Sequence, residues 1–184
     1  TVNQITQSFR FGVKIGNIAS TILKFKAKKT DCKPFPIKGL ESISDNVHLE
    51  FPPKLLLTQY TKLHRTVSGT INTAFDNRTK SIHWIGGLSN YNMQEILDVY
   101  YLSIDQKDKV KRKKLLTEFS TYVNYEEVAD DSQDIEMNRT VKLIKKTGNT
   151  LPRFMELVKR NEQKDPLKAD IIIGTAHRSK GLEW

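Results

Sequence analysis

The chain has 184 residues, enough for one good core or for one domain that carries an insertion. With 38% hydrophobic and 28% charged residues it is expected to be a soluble globular protein, and it contains no apolar run of membrane-spanning length and no opening secretory pattern. A single cysteine excludes an internal disulfide and suits an intracellular setting, while the net charge of +9 favours a polyanionic partner without requiring one.

Residues 13–25 set Ile15, Ile18, Ala19, Ile22 and Leu23 at helical spacing, with Lys14, Lys24 and Lys26 outside. A lysine-rich stretch with Pro34 and Pro36 then reads as a loop. "KLLLTQ" (54–59) predicts a buried strand, Tyr60 to Phe75 a helix, and "KSIHWIGG" (80–87) a second strand closed by glycines. Near the end, the isoleucines of "DIIIGTA" predict a strand buried on both faces. Strands alternating with helices imply an α/β layer with a parallel sheet.

Between Tyr91 and Leu167 the pattern is helical throughout. Met93, Ile96, Leu97, Tyr100, Tyr101 and Ile104 form one stripe, Leu115, Leu116, Phe119 and Tyr122 a second, and Ile135, Val141 and Ile144 a third. Gly148 suits a C-cap, and Pro152 the first turn of a fourth helix with Phe154, Leu157 and Val158. This block reads as a helical insertion between the last two strands. The basic run 107–114 and the acidic run 126–136 are expected to be solvated helix ends that partly neutralise each other.

In a parallel sheet, functional loops gather at the carboxyl ends of the strands. Thr175 and His177 leave the last strand there, followed by Lys180 and Glu183. Hydroxyl and imidazole groups at such an edge can hold a phosphate; the same residues also suit a plain polar strand end, and the residues alone leave both readings open. Phe9 beside Arg10 offers a stacking face and a phosphate-shaped cation, or a core ring and a solvated charge. His48, His64, His83 and His177 are dispersed, so no metal site is expected, and no Walker A or Ser-His-Asp pattern is present.

Taken together, three segments resemble superfamily 1 DNA helicases of the UvrD/Rep type. "TAHRSKGLEW" resembles their motif V, with Trp184 where Phe is usual, and "TQSFRFG" looks like motif IV, which begins the second RecA-like domain. "IHWIGGLSNYNMQEILDV" resembles the Gly-Gly segment that precedes the family's helical insertion. The "QSFRFG" wording and the compact insertion look closest to the F-box DNA helicase branch. In "LLLTQYTKLHR", relatives often carry Arg-Ser/Thr-Asn just after the strand, where a strand ending at 59 leaves Gln59, Tyr60 and Thr61.

The resemblance implies a RecA-like fold of the P-loop NTPase type: a parallel sheet with helices on both faces, interrupted by an all-helical insertion. The second RecA-like domain would occupy 1–90 and 168–184, and the insertion 91–167. It implies an ATP-dependent 3′-to-5′ DNA helicase that uses ATP and Mg²⁺, with the Mg²⁺ ligands outside these residues. Arg10 would act as an arginine finger, Phe9 would stack on adenine, and Gly181 and Glu183 would belong to the nucleotide side. Thr175 and His177 would touch single-stranded DNA, with Tyr60 stacking on a base. The implied partners are single-stranded DNA and the first RecA-like domain, with no membrane; the implied location is nuclear in a eukaryote and cytoplasmic in a bacterium. The alternative is an inactive helicase-like module that binds DNA or scaffolds a repair complex.

Overall fold

The computed structural model of the chain describes residues 6–50, 52 and 58–182. They fall into two compact units, one before residue 54 and one from there to 182.

The first unit is built around helix α1, Val13–Thr30. The amides of a first helical turn lack partners within the helix, and here the Asp45 carboxylate supplies them. The Lys14 amide donates to Oδ1 at 3.2 Å and the Ile15 amide to Oδ2 at 2.9 Å. Beside the helix, the Ser8 amide donates to the Lys38 carbonyl and the Lys38 amide to the Thr6 carbonyl, both at 2.8 Å. A Cβ on Gly39 would stand 1.8 Å from the Gly12 carbonyl oxygen, so the backbones meet where only glycine fits. That close approach also decides which face of α1 is used. Its buried residues are Gly16 and Ala27, while the stripe expected to point inward is open, with Ile22 62% exposed.

In the second unit the stretch after residue 53 divides differently from the expectation. Residues 54–57 of the expected first strand lie outside the described residues, and Thr58 and Gln59 precede strand β1, Tyr60–His64. Helix α2 is Val67–Asp76, not Tyr60 to Phe75. Thr66 starts it, its hydroxyl accepting from the Gly69 amide at 3.2 Å. Tertiary pairing overrides the local pattern: each residue from Tyr60 to His64 is in register with one from Ile171 to Thr175.

Strand β2 is Ile82–Trp84 and β3 is Ile171–Thr175; the sheet order is β1-β3-β2, with both pairings parallel. The last strand therefore inserts between the first two, and all five of its residues are buried. Between β2 and β3 the described residues form helices α3 (Met93–Ser103), α4 (Lys113–Glu118), α5 (Tyr122–Asp131), α6 (Ile135–Thr147) and α7 (Leu151–Arg160). The expected second helix is two, because Thr121 caps a new one by accepting from the Asn124 amide at 3.2 Å. The remaining helical stripes and the Gly148 C-cap stand where the periodicity put them, except that Ile104 lies past the end of α3 and is exposed, as is Ile135 at the start of α6. One apolar core joins sheet and helices, with Ile71, Trp84, Tyr91, Val99, Met155 and Ile171 among its most buried members. Phe75 meets Phe154 edge to face, ring centroids 4.7 Å apart. The mixed α/β arrangement, a small parallel sheet flanked by helices, is consistent with the expected RecA-like fold.

Among the described residues no ion pair joins the two charge runs. Arg112 pairs with Glu95 on α3 at 2.5 Å, and Lys145 on α6 with Glu126 at 2.7 Å. The basic run is turned by Asp98, which is fully buried. Its carboxylate accepts from the Lys111 amide at 3.0 Å, the Arg112 amide at 2.9 Å and the Gln94 side-chain amide at 2.8 Å. Removing it would strand two backbone donors in a closed site. Asp98→Ala is expected to cost on the order of 3 kcal/mol, read as a lower urea midpoint at unchanged slope. A loss within ~0.5 kcal/mol, the range of an indifferent surface change, would show that water replaces the carboxylate.

Candidate functional site

The carboxyl ends of three parallel strands converge on one edge. His64 ends β1 and pairs in register with Thr175, the end of β3, while β2 stops a step earlier, with Trp84 opposite Ile173. The chain beyond Thr175 stays pinned to β1 for one more residue, the Ala176 amide donating to the His64 carbonyl at 2.7 Å. It then folds into a tight turn. The Arg178 and Ser179 amides donate to the Thr175 carbonyl at 3.0 and 3.1 Å, and the Ser179 hydroxyl donates to the Ala176 carbonyl at 2.9 Å. Thr175 is buried and accepts from the Arg178 amide at 3.3 Å, whereas His177 and Lys180 are exposed. Gly181 holds φ at 82°, a left-handed conformation that side chains rarely adopt.

Arg178, which the sequence reading left without a role, ties this turn to the loop after β2. Its guanidinium donates to the Asn90 carbonyl at 2.6 Å and lies over the Tyr91 ring, 5.1 Å from the centroid. Tyr91 is fully buried, packs edge to face on Trp84 with centroids 4.8 Å apart, and donates its hydroxyl to the Ile85 carbonyl at 2.8 Å. Burial pushes the Tyr91 pKa up, against the opposing pull of Arg178, so the ring stays a neutral donor. Gly86, with φ at 80°, brings the loop past the Arg178 side chain.

The neighbouring His64 is held neutral by its surroundings. Burial, then the charges of Lys62 and Arg139, lower its pKa, and its Nε2 lies 2.8 Å from the Thr73 hydroxyl. Arg65 and Thr66 follow directly, so an arginine and a threonine, then Val67, stand just after the strand. The sequence reading missed them because it ended the strand at Gln59. The N-cap signal of Thr66 ahead of "VSGTINTAF" could have placed them. Gln59 instead ties the segments before β1 and β3, its side-chain amide donating to the Pro166 and Ala169 carbonyls at 2.7 and 2.6 Å.

The expected site residues thus separate. Thr175, His177 and Gly181 share one turn. Tyr60 stands at the other end of β1, in register with Ile171, about 13 Å along the strand from His64. Phe9 and Arg10 occupy a bend of the first unit, with the Phe9 ring 72% exposed and the Arg10 amide donating to the Ser8 hydroxyl at 3.3 Å. Glu183 lies outside the described residues. Among the described residues no three His, Cys, Asp or Glu side chains gather as metal ligands, and no helix is long and apolar enough to cross a membrane.

Removing the Arg178 clamp deletes one hydrogen bond and one cation–π contact, together about 1–2 kcal/mol. In Arg178→Ala, the amides of residues 178–182 are expected to exchange roughly 5- to 30-fold faster while those of β3 keep their protection. Equal rates would mean that the turn holds itself.

The chain is 25% identical to F-box DNA helicase 1 of Gallus gallus over 189 aligned residues, which cover 98% of this chain and 18% of that protein. No protein-family model and no solved structure matches the chain. The chain is therefore similar, nearly end to end, to a short part of a DNA helicase.

Proposed function

We propose that the chain forms the second RecA-like domain, with its helical insertion, of an ATP-dependent 3′-to-5′ DNA helicase of the UvrD/Rep type. The observation that carries this reading is the likeness to F-box DNA helicase 1 across 98% of the chain. The turn geometry supports it, because Thr175, His177, Arg65 and Thr66 leave adjacent strand ends on one edge. The exposed His177 imidazole and Arg65 guanidinium at such an edge suit the phosphates of a single strand, while the buried Thr175 and Thr66 hydroxyls hold the turn and the start of α2. Insertion and RecA-like portions would divide at residues 91 and 167.

On the nucleotide side, the residues present fit an adenine and a phosphate. A phenylalanine ring exposed over most of its surface offers a free stacking face, with a guanidinium one residue on. Bound ATP would supply the phosphoryl group whose transfer to water drives movement. Phe9 orients the base and Arg10 offsets charge on the transferred group. A Mg²⁺ site does not fit the described residues, which hold no carboxylate cluster. Its ligands, like the Walker A lysine absent from these 184 residues, belong on this reading to the first RecA-like domain.

Two measurements test this. His177→Ala in the 184-residue chain is expected to weaken binding of a fluorescent single strand severalfold, with an unchanged melting temperature. Normal binding with a lower melting temperature would make His177 a structural residue. The chain alone is expected to turn over no ATP; joined to a Walker A-bearing domain, Arg10→Ala is expected to lower turnover by about 10³-fold or more. Turnover within a few-fold of the unchanged protein would remove the arginine finger from the mechanism.

A further inference from the structure

A cavity of about 410 Å³ opens between β1, α2 and α6, and its walls carry four cations against one carboxylate. Lys62 and His64 project from the same face of β1, two residues apart. Arg139, Lys142 and Lys146 lie along one side of α6, at spacings of three and four residues. The only carboxylate in the wall, Asp76, is already engaged by Lys146 at 2.9 Å. Arg139 is held by its hydrogen bond to the Thr66 hydroxyl at 2.5 Å. No hydrogen bond or ion pair of the described residues engages the charges of Lys62 or Lys142, and both are exposed.

We propose that this basic pocket binds a backbone phosphate of single-stranded DNA, carrying the strand from the β3 turn onto helix α6. The assignment rests on the DNA reading above. Its own support is position: His64 lines the pocket and is the register partner of Thr175, whose following residue donates to the His64 carbonyl. His64, in the pocket wall, is thus one strand spacing, about 4.8 Å, from Thr175, where the turn that bears His177 begins. A polyanion touching one has the next cationic surface immediately beside it. Lysine ammoniums on long stems suit a backbone read without sequence. Burial first, then the charges of Lys62 and Arg139, lower the pKa of His64, so the two cations are close enough to be felt at the imidazole.

The test uses the full 184-residue chain and a fluorescent dT15. Lys62→Ala/Lys142→Ala removes two charges without breaking a contact of the fold. It is expected to weaken dT15 about tenfold at low salt and to make the log–log salt slope shallower by about 1.4. Lys24→Ala/Lys28→Ala in α1, with the same charge change, is expected to cost much less. Equal losses in the two doubles, or wild-type binding by the pocket variant, would overturn the site. His64, facing Lys62, Arg139, Lys142, Lys146 and Asp76, gives an independent signal: dT15 is expected to raise its pKa, followed by NMR, because a bound anion favours the imidazolium. If inorganic phosphate raises that pKa while dT15 does not, the pocket takes a free anion and the DNA assignment falls. Loss on His177→Ala but not on the pocket double leaves the strand-edge reading standing without the pocket, and the reverse leaves the pocket standing alone. A chain that does not bind dT15 at all sinks both.

Discussion

Everything in the second unit hangs on the burial of β3. A strand whose five residues are all buried must be paired on both sides, or its amides and carbonyls would be left unsatisfied away from water. β1 and β2 meet that demand in parallel register. A slip by one residue would turn the isoleucines of β3 against the wrong layer, so the register is strongly held. With the register held, the end of the strand is held too: Thr175 stops beside His64, and the polar residues that follow have nowhere to go but the edge. The shorter β2 matters as much. Its chain turns away after Trp84, and the space it vacates is where Gly86 and the Arg178 side chain meet.

That meeting joins two parts of the chain that are 88 residues apart in sequence. Arg178 grips the Asn90 carbonyl and the Tyr91 ring at the doorway of the helical block, while the turn it belongs to begins at Thr175. The position of the β3 turn and the position of the first residues before α3 are therefore one variable. On the helicase reading, a ligand that moves the turn also biases the base of the helical block, and the converse follows by linkage. Tyr91 is the stiff element of this joint, because burial, its edge-to-face contact with Trp84 and its hydrogen bond to Ile85 leave it no second place to sit.

What the sequence made legible follows from which signals are local. The isoleucine run, the Gly-Gly turn and the long amphipathic stripes are read off neighbouring residues, and β3, β2, α3, α6 and α7 stand where those patterns place them. β1 was not legible. "YTKLH" has exposed middle residues and no clean alternation, because it is an edge strand in the described sheet, and its strand character comes from a partner more than a hundred residues away. That one error hid Arg65 and Thr66 behind a misplaced strand end. The face of α1 was misread for a related reason. Periodicity identifies an apolar stripe but not what covers it, and here glycine contact, not the isoleucines, sets how the helix packs in its unit. Arg178 and the α2–α6 cavity were beyond sequence reasoning, since both depend on side chains brought together only by the fold.

The placement of charge carries the same logic further than the net value of +9. Half of the acidic run, Glu126, Asp134 and Glu136, is engaged by the fold. Asp134 caps α6 by accepting from the Met137 amide at 2.9 Å, and Glu126 takes Lys145. Glu136 reaches across to the start of α2, accepting from the Val67 amide at 3.0 Å and the Ser68 hydroxyl at 3.1 Å. Outside the acidic run, Asp98 disappears into the core to hold the backbone of the basic run. Carboxylates spent on helix ends and backbone turns cannot screen the cations of the neighbouring surface. Glu136 is the clearest case, because its carboxylate is committed to α2 amides while Arg139, one turn along the same helix, faces the cavity. The cations of the cavity wall between β1 and α6 are therefore left with Asp76 as their one lining carboxylate.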